Sequence, residues 1–227
     1  MILRNHIFSI LFSVVLIAGC GQSSKPQSQV THQGQDTLED CDLPEAADVR
    51  KDDVLCLYFT GTRFFRNEDY RQAAAHWQRV IAPDATSEFP PEQISALKLD
   101  ALSNLGYLTY HGLGISQNQN QAIKYLISAA CKGQTESRSH LGYAYSDPNK
   151  DDVDWLQAFA WYRSVELMFE QSEPESDTEW QVQSIALSAS AEMKAKLSPK
   201  QVPEAEELAK RYANLSEKDE ICSDGEV

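Results

Sequence analysis

The residues able to do chemistry are few and scattered. Five Cys and five His are spread over 227 residues. No Cys-x-x-Cys or His-Glu-x-x-His brings them to the spacing of a zinc site or a metalloprotease. The chain also lacks a Gly-x-Ser-x-Gly elbow and a phosphate-cradling Gly loop. His76 stands beside Trp77 in a helical stretch, His111 adjoins a turn and His140 lies on a helix, so all three read as structural or solvated side chains. Glu170, Glu173, Glu175, Asp177 and Glu179 form an acid run that could chelate calcium. Without the alternating ligands and the Gly of a calcium loop, a solvated loop is the stronger reading. The expectation is therefore a protein with no catalytic residues, no cofactor and no metal.

Charge narrows the partners. There are 20 Lys+Arg against 34 Asp+Glu, a formal net charge of −14, with 42% apolar residues. That composition is ordinary for a soluble globular chain. It excludes nucleic acid, whose phosphates require clustered Lys and Arg, and a polybasic membrane-surface protein.

The N-terminus supplies a different kind of membrane contact. Arg4 precedes an apolar stretch from Ile7 to Ala18. At about 12 residues it falls short of the roughly 20 that span a bilayer, and it reads as a signal-peptide core. It ends in Ile17-Ala18-Gly19-Cys20, which resembles a bacterial lipobox. The resemblance implies a signal peptide at 1–19 and lipidation of Cys20, whose two or three acyl chains give stable anchoring. Gly21 in place of Asp implies the outer membrane of the bacterial cell envelope, facing the periplasm. The alternative is an uncleaved anchor with an incidental Cys. Residues 20–40, rich in Gln and Ser, are expected to be a flexible tether.

With Cys20 assigned to lipid, Cys41, Cys56, Cys131 and Cys222 remain. An even number in an exported chain permits two disulfides. Cys41 and Cys56 flank a turn-like stretch and are the favoured pair, which leaves Cys131 with Cys222. Buried free thiols are the alternative.

The rest of the chain repeats. Asn104-Leu105-Gly106-Tyr107 recurs as His140-Leu141-Gly142-Tyr143, an offset of 36. The same offset carries Gln121-Ala122 onto Gln157-Ala158, Tyr125 onto Trp161 and Ser128 onto Ser164. A constant register with no gap indicates a duplication. Leu97, Ala101, Leu102, Leu105 and Leu108 follow the spacing of one buried helix face, and Ala122, Tyr125, Leu126 and Ala129 that of a second. His111-Gly112-Leu113-Gly114 breaks between them, with Gly able to close a helix in the left-handed conformation. Gly106, mid-helix, implies close approach of the partner helix. Each unit is thus a helix pair.

Leu102 to Gly133 closely resembles a Sel1-like repeat, matching at Leu105, Gly106, Gly112, Gly114, Ala122, Ala129, Ala130 and Gly133. The second unit keeps Leu141, Gly142, Tyr145, Ala158 and Trp161-Tyr162, but Pro148 and Lys150 replace the turn glycines. Upstream, Leu57, Gly61, Phe64, Ala73 and Trp77 fall at tetratricopeptide-like spacing. The resemblance implies an all-α, right-handed α-solenoid of antiparallel helix pairs over 41–215. Its parts would be a hairpin at 53–82, repeats at 97–133 and 134–169, and capping helices at 178–214. Ser198-Pro199-Lys200-Gln201 looks like a capping box opening the last helix. An acidic, frayed tail is expected at 216–227.

Such solenoids bind partners on the concave surface of their first helices. By analogy with tetratricopeptide grooves, the inward positions are Thr62, Phe65, Tyr107, Tyr110, Tyr143 and Ser146. Four are aromatic: Phe65, Tyr107, Tyr110 and Tyr143 form a candidate groove for a protein or peptide. Packing of these rings against neighbouring helices is the alternative. The resulting expectation is an interaction or scaffold module. A lipoprotein assembly or pilotin-like factor is a variant of it, and a cell-wall or β-lactam-binding enzyme is the competing class.

Overall fold

The computed structural model describes residues 53–223 except positions 86 and 88. The signal segment, Cys20, the tether and Cys41 lie outside the described residues.

Helices follow one another with short turns. They are α1 (Val54–Arg66), α2 (Tyr70–Val80), α3 (Pro91–His111), α4 (Gln119–Cys131), α5 (Thr135–Ser146), α6 (Trp155–Phe169), α7 (Asp177–Lys194), α8 (Gln201–Ala213) and α9 (Glu220–Ser223). Side-chain caps set most starts: Asp53, Asp69, Asn118, Gln134 and Asp154 each accept a backbone N–H of the first turn, satisfying donors that a helix N-terminus leaves open. α3 starts at Pro91, earlier than the repeat boundary at 97, because Pro suits the first helical position.

The fold is an all-α solenoid. α1, α3, α5 and α7 lie side by side in one layer. α2, α4 and α6 each pack behind their own first helix and against the first helix of the next pair. The motif glycines permit this closeness. A Cβ on Gly106 would stand 2.7 Å from Leu126 Cδ2, and one on Gly142 2.7 Å from Tyr162 Cδ2. The helix-propensity cost of each glycine, about 1 kcal/mol relative to Ala, is offset by the side chain it admits.

The second unit closes its turn without glycine. In the first, Gly112 takes a φ of 70° as the α3 C-cap, and Asn118 N donates to Thr109 O at 3.0 Å. In the second, Asp154 N donates to Tyr145 O at the same 3.0 Å. There Asp147 Oδ1 accepts from both Asn149 N and Nδ2 at 2.9 Å. This Asx turn replaces the left-handed glycine.

The C-terminal end departs from the expected capping pair. α7 takes the place of a next first helix, beginning at a full capping box of Ser176 and Glu179. α8 does not pair with it along its length. It lies against α6, stacking Tyr212 on Trp161 at a ring separation of 3.9 Å. Buried Arg138 of α5 ties this return in place, donating to Ala130 O at 2.9 Å and to Tyr212 O. The expected box at Ser198 is half formed. Gln201 Oε1 accepts from Ser198 N at 3.0 Å, yet the helix begins after Pro199, with Lys200 at its N-cap and no side-chain cap.

Nor does the chain fray at 216. Residues 220–223 form α9, and Cys222 is bonded to Cys131 of α4. The expected Cys131–Cys222 bridge is therefore present. Cys56 is also disulfide-bonded, while Cys41, its expected partner, lies outside the described residues. Among those residues no helix is long and apolar enough to cross a membrane.

Candidate interaction face

Three first helices present the same spacing on one face. Tyr58, Thr62 and Phe65 stand at i, i+4 and i+7 on α1; Asp100, Asn104 and Tyr107 do so on α3; Glu136, His140 and Tyr143 on α5. One helix face repeats at this spacing, so the layer carries an aromatic row at one end and a polar row at the other.

The aromatic row is continuous. Phe65 lies 6.3 Å from Tyr107 between ring centroids, Tyr107 lies 5.3 Å from His140, and His111 lies 5.5 Å from Tyr143. Tyr107 also meets His111 at 4.6 Å. Phe65 and Tyr107 are half-buried, and Tyr143 is 38% exposed. Tyr110 does not belong here. It is 3% exposed, wedged between α3 and α5, where its hydroxyl donates to Asp147 Oδ2 at 2.9 Å. Burial satisfies that hydroxyl internally and removes Tyr110 from the candidate groove. Thr62 and Ser146 turn their hydroxyls to their own helix backbones, donating to Tyr58 O and Gly142 O.

The polar row brings Tyr58, Asp100 and Glu136 together. Gln134 Nε2 donates to Asp100 Oδ1 at 3.3 Å. His140 Nε2 lies 3.8 Å from Glu136 Oε1. Among the described residues no Lys or Arg is paired with either carboxylate. Burial, helped by the neighbouring Glu136, pushes the Asp100 carboxyl up to about 6. Burial likewise raises Glu136 and holds His140 down to about 4, so that His140 is neutral at pH 7. Burial and nearby His140 lower His111.

Composition and motifs do not single out Asp100 and Glu136, and they give His111 and His140 only as structural or solvated side chains. A signal was nevertheless present, because the 36-residue offset maps Asp100 onto Glu136, acid onto acid. Among the described residues no group of three or more His, Cys, Asp or Glu is placed to hold a metal ion.

Asp100→Asn is expected to stabilise the protein at pH 7.5, by on the order of 1–2 kcal/mol after allowance for partial solvent screening. The folded carboxyl titrates near 6 against an ordinary 3.8. The folded state thus binds the proton more tightly, and its stability falls as pH rises from about 3.8 through 6. Asn keeps an acceptor for Gln134 and carries no charge. Urea melts of parent and variant should differ at pH 7.5 and converge near pH 4. His140 contributes the opposite slope in both proteins, and it cancels in the difference. An equal gap at both pH values would show that Asp100 is not desolvated.

Residues 99–134 match the Sel1 repeat family. The fold is similar to the crystal structure of a protective antigen present in uropathogenic Escherichia coli strains, described as displaying an SLR fold. The TM-score is 0.54 at 20% sequence identity, over 74% of this chain and 31% of that one. The chain thus spans less than a third of that longer protein. The matched repeat, its second copy 36 residues on and the shared helical architecture lead to one conclusion: this chain carries a Sel1 repeat within a helical solenoid similar to the SLR fold.

Proposed function

We propose that this protein is a lipid-anchored component of the bacterial cell envelope, tethered to the outer membrane through Cys20. In the periplasm, its first-helix face would hold a protein or peptide partner. The observation that carries the binding role is the row Phe65, Tyr107, His111 and Tyr143, which crosses three consecutive repeat units without a break. Half-exposed aromatic rings on rigid helices suit an interface, because they offer large apolar contact at little entropic cost. The lipobox-like Ile17-Ala18-Gly19-Cys20 supports the anchor.

In-cell crosslinking from a photoreactive residue at position 146, beside the row, tests both parts. Tyr107→Ala with Tyr143→Ala should cut the crosslinked product at least tenfold at unchanged helicity, as loss of two anchors implies. Cys20→Ser should move the chain from the membrane to the soluble fraction. An undiminished product would remove the groove, and retention on the membrane would remove the lipid anchor.

A further inference from the structure

The partner's chemistry can be narrowed by the other end of the same face. Asp100 and Glu136 occupy equivalent positions in successive repeats. Glu136 has 23% of its side chain exposed and can be reached from solvent. Neither has a Lys or Arg counterion among the described residues. Elsewhere the protein does pair its partly buried acids: Glu206 lies 2.7 Å from Lys194 and 3.5 Å from Arg163. Two half-buried carboxylates left without a cation are costly, and a cation delivered by a partner would relieve that cost.

The spacing of the two rows adds a length. Asp100 to Tyr107 and Glu136 to Tyr143 are each seven residues of helix, about 10 Å along the axis. An extended chain covers that distance in about three residues. We propose that the face binds an extended peptide segment in which a basic side chain lies about three positions from an aromatic one. The base sits at Asp100 and Glu136, and the ring sits on Phe65, Tyr107 and Tyr143. A basic segment also suits the overall charge of −14. This inference rests on the groove reading given under Proposed function.

The test is fluorescence anisotropy with the full chain in detergent. The probes are fluorescein-labelled octapeptides carrying Arg-Ser-Ser-Trp or Trp-Ser-Ser-Arg, with Glu-Ser-Ser-Trp and Trp-Ser-Ser-Glu as controls. At least one Arg peptide should bind tenfold or more tightly than its Glu counterpart. Asp100→Asn with Glu136→Gln should erase that preference while leaving the circular dichroism unchanged. Tyr107→Ala with Tyr143→Ala should weaken the Arg peptide at least tenfold. If Arg and Glu peptides bind equally, or the Asn/Gln variant keeps the preference, the basic-partner proposal is overturned. It is equally overturned if no peptide binds. In each case the cellular crosslink, lost or kept in the double Tyr variant, decides separately whether the groove stands.

Discussion

Gly114→Ala is expected to cost about 3 kcal/mol or more, from a single added methyl. Gly114 sits at a φ of +66°, and a Cβ there would stand 2.3 Å from Arg71 N and from the Tyr70 carbonyl carbon. The left-handed conformation costs an L-residue about 1–2 kcal/mol. Overpacking adds about 1–3 kcal/mol. The atoms met are backbone at the start of α2, so no rotamer change can make room. The second turn glycine therefore serves the joint between the first hairpin and the first repeat, in addition to turning the chain. Separating that joint would also pull Phe65 away from Tyr107, so lost stability and weakened partner capture should appear together. Gly133→Ala is the control. Its φ is +93° with nothing within 4 Å of the added carbon, so it should show only the conformational part of the cost. Urea midpoints of the two variants measure the difference, and equal losses would show that the α2 contact has no weight.

Much of this fold was readable because a duplication leaves a register. The offset linking Gly106 to Gly142 also links the knobs they admit, Leu126 and Tyr162, and the caps Asn118 and Asp154. The second turn was harder to read. Its closing bond depends on an Asx turn at Asp147, and the family pattern looks there for glycine. The return of α8 onto α6 was not readable at all. Its apolar face, with Leu208 and Tyr212, has the spacing of any amphipathic helix. Periodicity shows that such a face is buried without saying against what. Arg138, which joins α8 to α4 and α5, has no acidic partner in sequence to advertise it. Its bonds go to backbone carbonyls.

The candidate face divides the same way. Phe65, Tyr107 and Tyr143 lie where the repeat places them. Tyr110 has the same residue type one turn along, and its burial follows from Asp147, a neighbour 37 residues away. The carboxylates escaped notice because one acid per repeat resembles any solvated charge. Their meaning comes from the stacking of α3 beside α5, which brings Asp100 and Glu136 together with no Lys or Arg paired to either among the described residues.

Cys222→Ala is expected to lower stability by about 3–4 kcal/mol, near 10 °C in Tm for a domain of this size. The bridge to Cys131 closes a sequence separation of 91, and a loop that long takes considerable entropy from the unfolded chain. The native state loses a docking point as well. α9 is four residues long and packs on α4, too short to hold its place by helix propensity alone. Cys131→Ala should cost the same within about 0.5 kcal/mol, and the double variant no more than either single, since each change opens the same loop. Both leave the disulfide at Cys56 intact, so they separate the C-terminal bridge from the N-terminal one, which dithiothreitol would open together. Hydrogen exchange then divides the two contributions. Faster exchange confined to residues 216–223, with an unchanged Tm, would make the bridge a local staple. A lowered Tm with exchange accelerated through α4, α6 and α8 would make it the covalent cap of the solenoid, and the entropy of the 91-residue separation favours that second outcome.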